Sequence, residues 1–252
     1  MSSTDDAIEQ AVKLLRGARH AVALTGAGLS TESGVPDFRS PGGVWERFRP
    51  VEYAEFLASH VARTEHWRYK RATVPAMLAA EPNAAHYALA QLEAAGRLQA
   101  VITQNIDALH QRAGSRRVLE LHGTNLEAVC LRCEARSPIR DALAALDAGA
   151  EVPQCVRCGG WLKPATVSFG QALPADVLAE ATELAQRSDV FLALGSSLLV
   201  TPAASLAGLA KQRGAALIII NLTETPYDRA ADAVLHDSVG SALPAIATAV
   251  LC

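Results

Sequence analysis

The runs "HAVALTGAG", "QAVITQNID", "RRVLELHG", "DVFLALGSS" and "AALIIINLT" set the strictest limit on how this 252-residue chain can fold. Each is apolar without alternation, so each predicts a strand buried on both faces rather than half exposed. Stretches of helical period lie between them. Ile8, Val12 and Leu15 share one face of a helix predicted over 5–19. "NAAHYALAQLEAA" opens on Asn83, a good N-cap, and stops at Gly96. Apolar strands alternating with helices predict an α/β fold, a parallel sheet with helices on both faces. Such sheets bind ligands beyond the carboxyl ends of their strands. Those ends read TGAG, TQNID, LHG, GSS and NLT, all small or polar, as one shared crevice requires.

The first strand runs into Gly26-x-Gly28, but Thr31 stands where a third glycine would complete GxGxxG. A strand–turn–helix opening of this kind would present backbone amides of Gly26, Ala27 and Gly28 to a pyrophosphate. A hydride-transferring dehydrogenase would continue with a second strand and an acid about 20 residues on. Glu46 lies near that distance, yet no apolar strand leads to it. Residues 36–82 hold more than half of the aromatic residues instead, Trp45, Phe48, Tyr53, Phe56, Trp67 and Tyr69 among them, and predict helices and loops. Asp37, Phe38 and Arg39 fall where the chain would fold over a cofactor. A surface salt bridge is the other reading of that charged pair.

"TQNIDALH" sets Gln104, Asn105 and Asp107 at a strand end, where amides and a carboxylate can grip ribose hydroxyls or a carboxamide. His122 ends the next strand in the same crevice and is the candidate proton acceptor near neutral pH. His110 is its competitor.

Residues 128–163 break the strand–helix rhythm and hold four of the five cysteines, which marks an inserted module. Cys130-x-x-Cys133 and Cys155-x-x-Cys158, with 21 residues between the pairs, predict one structural zinc; a redox pair is the alternative. Four sulfurs close the metal's tetrahedron and leave no position for catalysis. A nucleic-acid-binding ribbon would need a basic aromatic surface nearby, and a net charge of −3 gives phosphate contacts no support. No 18-residue apolar run is present, and the polar, acidic start is unlike a secretory signal. The expected location is the cytoplasm, where thiols stay reduced.

"GAGLSTESGVPDFR", "TQNIDALH", "LHG", the paired CxxC motifs, "GSSLLVTP" and "NLTETPYD" occur in this order across residues 21–244. In that combination the chain resembles the sirtuins, NAD-dependent protein lysine deacylases. The resemblance implies an inverted Rossmann-like domain made of 1–35, 83–127 and 164–252. It implies a smaller domain of 36–82 and 128–163, a helical cofactor-loop segment plus a zinc ribbon. NAD and an acyl-lysine protein or peptide would enter the cleft from opposite sides. By the same resemblance Gly26, Ala27, Gly28 and Ser30 would contact the pyrophosphate, and Asp37, Phe38 and Arg39 would form a cofactor loop. Gln104, Asn105 and Asp107 would hold ribose and carboxamide, while Gly195, Ser196, Ser197 and Asn221 would line the adenosine end.

The implied chemistry starts with attack of the acyl oxygen on the ribose carbon as nicotinamide leaves. His122 then deprotonates a ribose hydroxyl, which attacks the imidate carbon, and water releases lysine and an acylated ADP-ribose. A strand in "TVSFGQALP", with Val167, Phe169 and Gly170, would pair with the peptide backbone. Gln171 replaces the Glu common in the family, and Tyr69 is followed three residues later by Ala72, so the Tyr-x-x-Arg of succinyl-selective sirtuins is absent. An uncharged acyl group, acetyl first, is therefore expected. The competing functions are a mono-ADP-ribosyltransferase and a non-catalytic NAD- or ADP-ribose-binding module. The substrate strand opposes the first, and His122 with Asn105 opposes the second.

Overall fold

Every strand run named above enters the sheets of the computed structural model, which describes residues 3–37 and 48–252. The larger sheet has six strands: β1 (Ala21–Thr25), β2 (Ala100–Thr103), β3 (Val118–Glu120), β7 (Val190–Leu194), β8 (Ala216–Ile220) and β9 (Ala233–Leu235). Their order is β3-β2-β1-β7-β8-β9, and all five pairings are parallel. Alternate residues of each strand face opposite sides, and both sides are apolar because both are covered. Ala23, Val101, Leu192 and Ile218 face α1 (Ser3–Gly17), α4 (Ala84–Ala94) and α9 (Val239–Leu251). Leu24, Ile102, Phe191 and Ile219 face α7 (Ala175–Arg187) and α8 (Ser205–Gln212). Asn83 caps α4 as expected, accepting bonds from the Ala85 and His86 amides.

A second, three-stranded antiparallel sheet, β5-β4-β6, joins β4 (Gly123–Cys130), β5 (Arg136–Pro138) and β6 (Leu162–Thr166). It starts at Gly123 and ends at Thr166, somewhat wider than the inserted segment expected from the cysteines. The aromatic-rich segment supplies α2 (Tyr53–Ala58) and α3 (His60–Ala79), and α6 is Ile139–Asp147. Phe56, Trp67 and Val74 of these helices share a core with Ala128, Ile139, Leu143 and Leu162, separate from the two cores of the large sheet. Trp67 Nε1 donates to the Leu162 carbonyl at 3.0 Å, so the indole is both buried and satisfied.

Several expectations change. "RRVLELHG" is not one strand: β3 covers three residues, and His122 sits in the link between the two sheets. Among the described residues the glycine turn runs into two 3-10 turns, Ala27–Leu29 and Thr31–Ser33, where an α-helix is expected. "TVSFGQALP" does not continue as a strand, because β6 ends at Thr166 and a turn closes from Ser168 to Gln171. A sixth strand, β9, escapes the sequence pattern. The helix α5 (Leu109–Ala113) follows the TQNID loop through Ala108, which is held at φ 59.

Candidate functional site

The sheet order reverses between β1 and β7, so the chain leaves these neighbouring strands in opposite directions and opens a crevice at their carboxyl ends. There the two glycine turns lie against each other. Gly26 N–H donates to the Leu194 carbonyl at 3.0 Å and Gly28 N–H to that of Gly195 at 2.9 Å. A Cβ on Gly26 would sit 2.6 Å from the Gly195 oxygen, and one on Gly28 2.9 Å from it. The amides of both glycines are thus used inside the fold, which corrects the expectation that they face a phosphate; their requirement is close backbone approach. Gly195 itself has φ +60, and a Cβ there would run into the Leu29 amide nitrogen. Gly195→Ala is expected to cost about 1–3 kcal/mol through overpacking and a left-handed backbone. A thermal melt checks this, and an unchanged Tm would contradict it.

Asn105 is the best-anchored polar group in the crevice. Its Nδ2 donates to the Gly26 carbonyl and to Ser30 Oγ, both at 3.0 Å. A carbonyl can only accept, so this fixes which end of the amide is nitrogen. Asn105 Oδ1 then carries no hydrogen bond among the described residues. Ser30 Oγ donates onward to Asp107 Oδ2 at 2.8 Å, and Asp107 Oδ1 accepts from the Leu109 amide at 3.0 Å. Burial raises the Asp107 carboxyl pKa, opposed by those two bonds. Gln104 Nε2 donates to Ser196 Oγ at 3.0 Å, tying the TQNID loop to the β7 turn. Asn221, at the end of β8, turns its Nδ2 to the Thr223 carbonyl at 2.8 Å.

His122 Nδ1 lies 3.0 Å from the Gln104 carbonyl. Against a carbonyl, Nδ1 must carry the proton, and the lone pair is left on Nε2. Burial pushes the imidazole below its usual 6.5, and the Gln104 bond offsets this only in part. The ring is therefore neutral and basic at physiological pH. If His122 accepts a proton during turnover, kcat/KM is expected to stay level near neutrality and to fall with acid through a pKa below 6.5. A pH–rate profile reads this directly, and an acid limb well above 6.5 would contradict it.

Val167, Phe169 and Gly170 lie in a loop rather than a strand, and Val167 adjoins this histidine. Val167 N–H donates to the His122 carbonyl at 2.8 Å, and Tyr53 N–H to that of Phe169 at 2.9 Å. Lys163, wholly buried, folds back so that its amine donates to the Thr166 carbonyl and closes the end of β6. Gln171 Oε1 accepts from the Ser168 amide at 3.1 Å, and Gly170 takes φ +76. These contacts divert the backbone from the strand that "TVSFGQALP" predicts. Phe169 remains 45% exposed at the tip.

Sequence reasoning missed the opposite wall. Tyr69, Thr73 and Met77 of α3 line one cavity with Ala27, Ser30, Asn105 and Asp107. Behind them, buried Lys70 donates to Asn125 Oδ1 at 2.9 Å, and Asn125 N–H donates to the Ile106 carbonyl at 2.9 Å. Burial, reinforced by nearby Lys163, lowers the Lys70 amine to about 7. Asp37 is half-buried at the edge of the described chain; Phe38 and Arg39 lie outside the described residues.

The four cysteines form the only such metal-ligating group found among the described residues, with all sulfurs within 4.8 Å of one another. Cys130 and Cys158 are 3.5 Å apart and Cys133 and Cys155 3.8 Å, close to the ~3.8 Å edge of a tetrahedron with Zn–S bonds of about 2.3 Å. Backbone N–H groups of Arg132 and Gly160 approach Cys130 and Cys158 sulfurs at 3.4 Å, as thiolates require. A Cβ on Gly160 would lie 2.9 Å from the Cys130 sulfur, so only glycine fits there. The residues present fit zinc.

A family model described as the Sir2 family matches residues 26–202. The chain is 45% identical, over 96% of its length and 94% of the relative's, to an NAD-dependent protein deacetylase of Thermodesulfovibrio yellowstonii. It is 44% identical to an NAD-dependent protein deacylase 2 of Archaeoglobus fulgidus, with 96% of this chain and 95% of the relative covered. A solved structure of Sir2 with a p53 peptide and NAD+ superimposes with a TM-score of 0.87 at 40% identity, 96% of each chain being covered. Another, of a Sir2 bound to a propionylated peptide, gives 0.85 at 41% identity over 94% of this chain and 95% of that one.

Proposed function

The chain belongs to the Sir2 family, and from that premise we propose that it removes acetyl groups from protein lysines with consumption of NAD. It is an NAD-dependent protein lysine deacetylase, an enzyme that yields nicotinamide, O-acetyl-ADP-ribose and free lysine. The observation that carries the assignment of roles is the junction of His122, Gln104 and Asn105. One backbone segment holds the base through the Gln104 carbonyl and, one residue on, aims a free amide oxygen into the crevice.

NAD supplies a ribose carbon whose nicotinamide leaves as the acyl oxygen adds. The residues of the chain orient and exchange protons around that event. His122 Nε2 takes a proton from a ribose hydroxyl. Asn105 Oδ1, with Asp107 and Gln104, holds ribose and carboxamide. Ala27 and Ser30 lie toward the pyrophosphate, while Gly26, Gly28 and Gly195 keep the turn thin enough for it. Ser196, Ser197 and Asn221 line the adenosine end, and Asp37, Phe38 and Arg39 close over the nicotinamide side. Val167, Phe169 and Gly170 offer the peptide a short exposed edge. Cys130, Cys133, Cys155 and Cys158 hold one zinc, which supplies structure and no chemistry to the reacting atoms.

A division into a domain of 1–35, 83–127 and 164–252 and one of 36–82 and 128–163 is part of this proposal, and the separate small core around Phe56 and Trp67 supports it. No helix of the described residues is long and apolar enough to cross a membrane. Reduced thiolates at a four-cysteine metal site suit the cytoplasm. For the acyl group, Ala72 offers no cation to the free carboxylate of a succinyl group. With peptides differing only in the acyl group, kcat/KM is expected to fall from acetyl to succinyl by at least about a hundredfold, the scale of an unpaired buried charge. Equal rates on both would overturn the acetyl assignment.

A further inference from the structure

His110, the competitor of His122 as proton acceptor, is left unused by the chemistry proposed above. It is 1% exposed, on α5. Its Nε2 lies 2.9 Å from Thr25 Oγ1, and Thr25 Oγ1 lies 2.8 Å from Thr103 Oγ1. Thr103 Oγ1 in turn accepts the backbone N–H of Asn105 at 3.0 Å. Thr25 and Thr103 are 0% and 3% exposed, so no water competes. Thr25 donates its one hydroxyl proton to Thr103, so its oxygen accepts from His110. That makes Nε2 the protonated nitrogen of a neutral ring.

Two further facts fit this direction. His110 Nδ1 has no hydrogen-bond partner, as the lone-pair nitrogen of that tautomer can tolerate. The ring stands 4.9 Å, centroid to centroid, from His86, and burial keeps both neutral, at about 3 for His110 and about 4 for His86. Between Asn105 and His110 the backbone passes through Ala108 at φ 59, a left-handed conformation that an alanine holds only where its surroundings impose it.

We propose that His110 is a positioning residue, whose Nε2–H sets the Asn105 backbone through the Thr25 and Thr103 hydroxyls and thereby the aim of Asn105 Oδ1. The inference rests on the role given to Asn105 under the proposed function. His110 touches no reacting atom. Its contribution is angular: a loop that drifts by an ångström loses alignment and little affinity.

The test compares His110→Leu with His110→Gln, since the glutamine Nε2 stands the same number of bonds from Cα and still donates. Steady-state kcat and the KM for NAD and for an acetyl-lysine peptide are measured on the whole enzyme, with thermal melts alongside. His110→Leu is expected to lower kcat about tenfold to a hundredfold with peptide KM within about twofold, and His110→Gln to recover most of it. Thr25→Val should lose as much as His110→Leu, and the double variant no more than either, because a chain broken once is broken. Thr25→Val reads the same chain should the leucine variant not fold. Undiminished kcat in a folded Thr25→Val or His110→Leu, or multiplying losses in the double variant, would overturn the inference. Asn105→Ala separates the two levels: full activity there would overturn the Asn105 role and this inference together. An inactive Asn105→Ala beside a fully active His110→Leu would overturn the inference alone.

Discussion

His122→Ala is expected to leave a protein that folds and binds NAD but deacetylates about 10²–10⁴ times more slowly, the usual contribution of a positioned general base. The side chain is half-buried, and its one hydrogen bond among the described residues is to the Gln104 carbonyl. Removing it leaves that carbonyl at the crevice, where water can reach it, so the fold loses little. Nothing else described in the crevice replaces the base. His110 is sealed behind Thr25 and held neutral, and Asp107 is occupied by Ser30 and Leu109. The check is kcat at saturating NAD and peptide, together with the melting temperature and the NAD dissociation constant. A kcat within tenfold of the parent in a folded variant would remove His122 from the proton transfer.

Stripping zinc is expected to melt the ribbon and abolish activity, although the metal site lies outside the crevice. Structural zinc contributes about 10–16 kcal/mol of binding free energy in small finger peptides, as much as the whole stability of a typical domain, about 5–15 kcal/mol. The ribbon carries half of a shared core: Cys130, Cys155 and Leu162 are buried with Phe56, Trp67 and Val74. That core also supports the site. Asn125 N–H holds the Ile106 carbonyl within the TQNID loop, and Val167 N–H holds the His122 carbonyl. Losing β4 and β6 would therefore release both catalytic loops. Chelation with metal analysis, followed by melting and assay, checks this. Unchanged Tm and kcat after verified zinc loss would contradict a structural role.

The strands of the large sheet were legible because each apolar run is long enough to need burial on both faces. β9 was not, since Ala233–Leu235 is three residues and a run that short has no period. The metal site was legible from spacing alone. The glycine turn is legible only in part: the spacing marks Gly26 and Gly28, but their amides pair with Leu194 and Gly195 at the end of β7, partners far along the chain. At the end of β6 the cause is local instead: the buried amine of Lys163, bound to the Thr166 carbonyl, and the turn at Gly170 divert a run that looks like a strand. Tyr69, Thr73 and Met77 could not be placed, as helical spacing shows which residues share a face and not which cavity that face lines. Asn105 and His122 were found as strand ends, whereas the hydroxyl chain behind Asn105 joins three separate elements and leaves no local pattern.

The central claim is that the acyl group passes from lysine to ADP-ribose, and mass spectrometry of all products from NAD and an acetyl-lysine peptide tests it most directly. Nicotinamide, O-acetyl-ADP-ribose and deacetylated peptide in equal amounts is the predicted result. Nicotinamide formed beside unchanged peptide, with ADP-ribose free in solution or attached to protein, would contradict it.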